Sequence, residues 1–394
     1  MTAPALSHLR IVEVGLGAAA AYTGKLLADL GADVVKVEPP RGDVTRDLGP
    51  FPAGRVDRDA SGLFLYLNAN KRGIVLDLDV PADRSILAKL IDRADLLIHD
   101  IAPGKLPDYG LSPDVVLEGR PRLVATSITP FGLSGPHRDY AAYDLNLWNA
   151  GGLACLNGGG PGTDDLPPLR TYGHQAAFQA GLNAAIASLG AILAREATGK
   201  GQHVEVAVQE CLAAILELTY PFWPYCQMTA SRLGNKPIQP LDFFECKDGW
   251  VFLCAVEEHQ WKTFVEVIGS PEWASLEIFS DRLQRAANWD ALKPMIAEWM
   301  AEQTVDEIYH YLQSRRVPIA PVSTMGDLLS SKHLNARGFF VSLTPPAGAS
   351  LRGPGAPYHL SRTPWQLRRP APRLGEHTSE VLAEIDSEAA GVRR

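Results

Sequence analysis

The chain has 394 residues, 46% of them hydrophobic and 21% charged, with a formal net charge of −8. The length predicts two domains, and the composition is that of an ordinary globular protein. The acidic balance argues against bulk nucleic-acid binding, which needs a basic footprint, and no apolar run reaches the roughly 20 residues of a membrane span.

Leu9-Arg10-Ile11-Val12-Glu13-Val14 is a β-branched run that predicts a strand. Gly15-Leu16-Gly17-Ala18-Ala19-Ala20 supplies a small-residue turn, and Leu26, Leu27 and Leu30 recur at helical spacing. Gly31 stops that helix before a second strand over residues 32–38. Such a βαβ unit builds a parallel sheet whose helix N-terminus can receive phosphate. Gly15-x-Gly17-x-x-Ala20, with Glu38 ending the next strand, also fits a nicotinamide-dinucleotide fingerprint. That pattern is weak, because any tight strand-to-helix turn selects small residues. Residues 39–46 follow as a stiff charged loop instead of a further crossover helix.

Residues 73–78, 95–99 and 123–128 read as strands, with a helix over 81–94 and a helical segment over 113–117 between them. The alternation predicts an α/β fold with a parallel, doubly wound sheet. Residues 175–195 form an Ala-rich helix, apolar nearly all round and expected to be buried. A turn at 198–202 leads to an alternating strand, 203–208, and a helix over 209–218. The aromatic and proline cluster at 220–225 marks a domain crossing. Beyond it lie a strand pair flanking Lys247-Asp248-Gly249 and helices over 261–268, 289–300 and 305–315. The tail, with prolines from Pro345 to Pro372, is expected to wrap in extended form.

Met1-Thr2-Ala3-Pro4-Ala5 lacks a basic-then-apolar leader pattern. The five cysteines contain no C-x-x-C pair, which fits a reduced, cytoplasmic setting. The ten histidines are dispersed, so no metal site is expected.

Separated segments then converge on one family. They are Leu26-Leu27-Ala28-Asp29-Leu30-Gly31-Ala32-Asp33 with Val34-Val35-Lys36-Val37-Glu38, Gly42-Asp43-x-Thr45-Arg46, Asn70-Lys71-Arg72 and Pro121-Arg122-Leu123-Val124. Phe131-Gly132-x-x-Gly135-Pro136, Tyr143-Asp144, Thr198-Gly199-Lys200-Gly201-Gln202, Val317-Pro318 and Pro372-Arg373-Leu374-Gly375-Glu376-His377-Thr378 complete the set. In order and spacing these resemble the family III CoA-transferases, the group of formyl-CoA transferase, carnitine CoA-transferase and α-methylacyl-CoA racemase. The resemblance implies a Rossmann-like large domain built from both chain ends (1–222 with 332–394), a small α+β domain (223–331) and an interlocked homodimer. It also implies coenzyme A or an acyl-CoA as substrate, with a small carboxylic acid as the second substrate and no permanently bound cofactor.

Under that resemblance Ala18, Arg46 and Lys71 fall on nucleotide-contacting positions; the phosphates of CoA need cations or N–H donors. Two departures stand out. Relatives read Ala-Gly-Pro where this chain has Ala19-Ala20-Ala21, and often Asn-Phe-Arg where it has Asp100-Ile101-Ala102. An acid at Asp100 repels phosphate unless it turns away.

The resemblance further implies an aspartate nucleophile at the start of the long helix, and that position is Ala177. No Asp or Glu occurs between Leu166 and Arg195, and the nearest upstream acids, Asp164 and Asp165, lie in a Gly- and Pro-rich loop. A carboxylate is needed because it is both nucleophile and leaving group, so the standard covalent route is in doubt for this chain alone. Asp144 matches an acidic position beside the active site of relatives, although it also suits a helix start. Glu257 matches an acid of the racemase, and His174 lies three residues before Ala177. The racemase histidine falls at Tyr143.

Four functions follow. The first is CoA transfer from a thioester donor to a carboxylic acid, by a non-standard mechanism or in a heteromer with an aspartate-bearing paralogue. The second is proton-transfer chemistry on an acyl-CoA, as an isomerase or racemase, hydratase or lyase. The third is a non-catalytic acyl-CoA-binding subunit, and the nicotinamide dehydrogenase comes last. Trp148, Asn149, the Gly-rich 157–163 loop and the small domain are expected to supply the side chains of an acyl pocket.

Overall fold

Six short apolar runs form one parallel sheet in the computed structural model, which describes residues 3–158, 166–217, 219–230, 238–345 and 350–389. The strands are β1 (Arg10–Val14), β2 (Asp33–Glu38), β3 (Arg72–Val75), β4 (Leu96–His99), β5 (Val124–Thr129) and β6 (His203–Ala207). Their order is β3-β2-β1-β4-β5-β6, with every neighbouring pair parallel. The order reverses between β1 and β4, and in such sheets ligands bind in the crevice beyond the C-terminal ends of those two strands.

Helices α1 (Ala18–Asp29), α2 (Gly62–Asn68), α3 (Pro81–Ile91), α4 (Leu106–Tyr109), α5 (Pro113–Leu117), α6 (Asp144–Ala150) and α7 (Gln175–Thr198) accompany the strands. Successive strand residues face opposite sides, which makes two cores. Ile11, Val34, Leu96 and Ile98 pack with Ala20 and Leu27 of α1 and Ala180, Ala184 and Ile192 of α7. Val12, Val35 and Leu97 pack with Leu87, Leu90 and Ile91 of α3 and Val116 of α5.

The long helix departs from expectation. Its alanine face is buried, but Leu182, Ile186 and Leu193 are 42%, 62% and 73% exposed. Small residues explain the inner face: a Cβ on Gly181 would lie 2.8 Å from the Ala19 carbonyl oxygen, so only glycine lets α1 and α7 approach this closely. By length and composition α7 is apolar enough to cross a membrane. Here it packs on α1 and on β5 and β6 as a core helix.

The chain divides into two units, Met1–Leu233 with Gly338–Arg394, and Gly234–Arg337. The first also holds α8 (Val208–Ala213), shorter than the 209–218 helix expected, and α9 (Phe222–Cys226). The second has an antiparallel sheet, β7 (Leu241–Cys246), β8 (Gly249–Cys254) and β9 (Ile319–Pro321), in that order. Around it are α10 (Glu258–Val267), α11 (Arg282–Ala287), α12 (Trp289–Ala301), α13 (Val305–Ser314), α14 (Met325–Ser330) and α15 (Lys332–Ala336). Phe244, Val251, Leu253, Phe264, Ile296 and Leu312 form its core.

The proline-rich tail, read as extended wrapping, contains an antiparallel hairpin, β10 (Phe340–Leu343) with β11 (Leu351–Pro354), and ends in α16 (Thr378–Ala389). That helix rejoins the first unit through Val381 and Ile385 in the α3-side core. Arg72 on β3 fixes it by pairing with Glu380 at 3.0 Å and Glu384 at 2.8 Å. Asn70 receives the irregular segment before it: its Oδ1 accepts the Arg368 N–H at 2.6 Å, and its Nδ2 donates to the Gln366 carbonyl at 2.8 Å.

Candidate functional site

At the end of β1 the chain turns through Gly15-Leu16-Gly17 into α1, and beside it Asp100 directly follows the end of β4. The acid does not turn away from this turn. Its Oδ1 accepts the Leu16 N–H at 3.0 Å, and a Cβ on Gly17 would meet its Oδ2 at 2.9 Å, so the carboxylate is packed against the glycines. Burial pushes Asp100 up to about 6; the Leu16 N–H opposes the rise, the Asp43 charge adds to it, Lys36 opposes and Glu13 adds.

The first turns of α1 and α7 lie side by side. Ala18, Ala21 and Leu67 form a small cluster against which Ala177 and Phe178 pack. Tyr22 meets Phe178 edge-on at 4.6 Å between ring centres. Thr23 Oγ1 donates to the carbonyls of Ala19 and Gly181, tying the two helices together.

Asp144 opens α6, and its Oδ1 accepts the backbone N–H of Ala177 at 2.9 Å. The α7 N-cap, His174, makes no capping bond with its side chain. Asp144 therefore satisfies one of the N–H groups that a helix start leaves without an intrahelical partner, and the helix dipole favours its negative charge there. It is half-buried, and its other oxygen makes no hydrogen bond among the described residues. A carboxylate thus stands at residue 177 although residue 177 is alanine.

Near it, Tyr143 and Asn149 are exposed, and Trp148 is buried with an indole N–H that lacks a partner among the described residues. Most of the 157–163 loop, with Asp164 and Asp165, lies outside the described residues. Glu257 belongs to the second unit, just before α10. Its N–H donates to Gln260 Oε1 at 3.2 Å and its exposed carboxylate pairs with Arg282 at 3.5 Å.

Arg46 and Lys71 do not present free cations. Arg46 is 1% exposed, grips Glu38 at 2.7 and 2.8 Å, and donates to Asp59 and the Pro372 carbonyl, with its guanidinium 3.7 Å above the Phe64 ring. Lys71 is fully buried; its ammonium donates to the Ala21 carbonyl and Asn68 Oδ1 and pairs with Glu13 at 2.7 Å. Burial pulls Lys71 down to about 8 against the pull of Glu13. Glu13 also pairs with Lys36, its register partner on β2, and Lys36 pairs with Asp43 at 2.6 Å. Glu38 is fully buried with both oxygens engaged, since it accepts the Asp43 N–H as well as Arg46, so it faces the protein and not a nucleotide ribose.

Residues 6–378 match CoA-transferase family III. The chain belongs to that family. It is 35% identical over 389 residues, 96% of this chain and 93% of the other, to the succinyl-CoA:(R)-benzylsuccinate CoA-transferase subunit BbsE of Thauera aromatica. It is 31% identical over 386 residues, 96% and 94% of the two chains, to the succinyl-CoA–L-malate CoA-transferase beta subunit of Chloroflexus aurantiacus. A CAIB/BAIF family protein from Brucella suis superposes with a TM-score of 0.86 at 29% identity, covering 98% of this chain and 100% of its own.

For a family III chain, the geometry separates the expected site residues. Ala18 and Asp144 are brought together with Ala177 at the paired helix starts, whereas Glu257 stands in the other unit. Arg46 and Lys71 hold the fold beneath the turn, with all three N–H groups of Lys71 and four of the five of Arg46 directed at protein acceptors. Sequence reading missed the Glu13–Lys36 pair. The signal was there: a Glu and a Lys in two adjacent interior strands of a parallel sheet, where apolar residues are the rule.

Proposed function

We propose that this chain takes part in CoA transfer from an acyl-CoA thioester to a carboxylic acid, with Asp144 as the carboxylate that carries the groups in turn. The observation that supports this is the 2.9 Å hydrogen bond from the Ala177 N–H to Asp144 Oδ1. The carboxylate attacks the donor thioester carbonyl, the C–S bond breaks, and CoA leaves as thiolate while an acyl–aspartyl anhydride forms. The thiolate attacks the aspartyl carbonyl, releasing the donor acid and leaving an aspartyl-CoA thioester. The acceptor carboxylate attacks that thioester, again expelling thiolate, which takes the acceptor acyl group and frees Asp144. No net proton is consumed. The N–H groups of the first turn of α7 favour negative charge on the aspartyl oxygen at each tetrahedral step.

A second reading is favoured by Ala177 and by relatives that are themselves named as subunits. In it the chain is the companion of an aspartate-bearing paralogue and binds acyl-CoA without forming the anhydride. Succinyl-CoA is the donor to try first, because both relatives are named for it. The purified chain is incubated with succinyl-CoA and trapped with hydroxylamine or borohydride, and the modified residue is mapped by mass spectrometry. A hydroxamate or reduced side chain at Asp144 supports the first reading. An unmodified chain that gains transferase activity only with an aspartate-bearing partner supports the second. α-Deuterium wash-in without an acceptor acid would instead direct Asp144 and Glu257 to proton transfer.

A further inference from the structure

The strand order places the β1–α1 turn at the crevice where β1 and β4 part, and that position is the natural seat of a ligand phosphate in this sheet. In this chain the seat already holds an anion. Asp100 comes from the adjacent strand end, accepts the Leu16 N–H at 3.0 Å, and fills the space beside Gly15 and Gly17 that a phosphate oxygen would need. The charged groups around it are Glu13 on β1, Lys36 on β2 and Asp43 just beyond β2. Lys36 cannot neutralise it freely: the ammonium is buried, paired with Glu13 and Asp43, and donates to the Gly15 carbonyl.

We propose that Asp100 is a specificity-determining residue that competes with ligand phosphate for the β1–α1 turn, so that CoA binds there more tightly once the Asp100 charge is removed. The inference rests on the CoA reading above and adds to it which residue sets the affinity and its dependence on pH. Ionised, Asp100 holds the Leu16 N–H and repels a phosphate. Protonated, it keeps an acceptor for Leu16 and gains an O–H that can donate to a phosphate oxygen. Burial pushes this carboxyl up to about 6, which brings the exchange into a mildly acidic range. The turn therefore discriminates against polyanionic ligands at neutral pH and admits them as the pH falls.

The test is isothermal titration of the full chain with CoA between pH 5 and pH 8, comparing wild type with Asp100→Asn. The ligand's own monophosphate titrates near pH 6, so the reading is the ratio of the two dissociation constants at each pH. The expected result is roughly tenfold tighter binding by the Asn variant at pH 7.5, from removal of one like charge near the phosphate. The ratio should shrink toward one at pH 5. Asp100→Ser, which also keeps an acceptor for Leu16, is the second variant if Asn fails to fold, and each variant's fold is checked by its melting curve. Equal or weaker CoA binding by the folded variant at every pH overturns the proposal and leaves the CoA reading standing. Absence of CoA binding by both folded proteins at every pH overturns the CoA reading and the proposal with it.

Discussion

The backbone N–H of Ala177 and the carboxylate of Asp144 are 2.9 Å apart, although the two residues are 33 positions apart in the chain. Helix α7 carries no acid in its first turn, yet its N-terminus is occupied by one. The relationship gives the chain a carboxylate at the helix start where its own sequence withholds one, and it is held by a bond that also stabilises the fold.

Removing the charge at Asp144 separates those two roles. Asp144→Asn keeps an oxygen for the Ala177 N–H and should melt close to wild type. Its transfer rate should fall by at least roughly 10³-fold if the carboxylate carries the acyl group. Asp144→Ala loses the cap as well and should cost about 1 kcal/mol in urea denaturation. An Asn variant with the wild-type rate would remove Asp144 from the chemistry.

Restoring an acid at position 177 tests the pocket itself. Ala177 is half-buried at the first turn of α7, where a carboxylate is favoured. Ala177→Asp should therefore fold and give a hydroxylamine-sensitive adduct at residue 177 with succinyl-CoA. Modification only at Asp144, with no change in rate, would show that the substrate carbonyl meets Asp144 and not the side chain at residue 177.

Arg46 is expected to matter for stability before affinity. Arg46→Ala strips Glu38 of a two-point partner in a buried site, and such a break costs about 3–5 kcal/mol. The urea midpoint should fall accordingly. Unchanged stability with weakened CoA binding would return Arg46 to nucleotide contact.

His99 sets an acid limit. It is buried, with Nε2 2.8 Å from Ser127 Oγ, which lies equally close to His203 Nε2. Burial, helped by His203, pulls His99 down to about 3. Below its ordinary value near 6.5 the unfolded chain therefore takes up a proton that the folded chain refuses, so stability falls as the pH drops from that value toward 3. At about 1.4 kcal/mol per pH unit, the loss from this group is roughly 2–3 kcal/mol at pH 4.5. Urea unfolding of wild type and His99→Gln at pH 7.5 and 4.5 should show the variant losing less by that amount; parallel losses would assign the acid sensitivity elsewhere.

Much of the sheet was legible because strand and helix periods are local. The β-branched runs from Ile11 to Val206 and the Leu spacing of α1 encode burial along a single element. The order and spacing of short segments pointed to the family from one end of the chain to the other. The outer face of α7 was misread for the same local reason: apolar residues all round say nothing about which side meets a neighbour. The α16 helix was hidden behind a run of prolines that ends at Pro372.

By itself, then, the sequence determined the alternation of elements, the family and the absence of an acid at residue 177. Only the tertiary structure decided what the charged residues do. Glu13 and Lys36 face each other because β1 and β2 are adjacent in register, Arg46 closes on Glu38 across the loop after β2, and Asp100 and Asp144 reach the starts of α1 and α7 from distant segments. Side-chain pairing across such separations depends on strand order and helix placement, which no local period in the chain records.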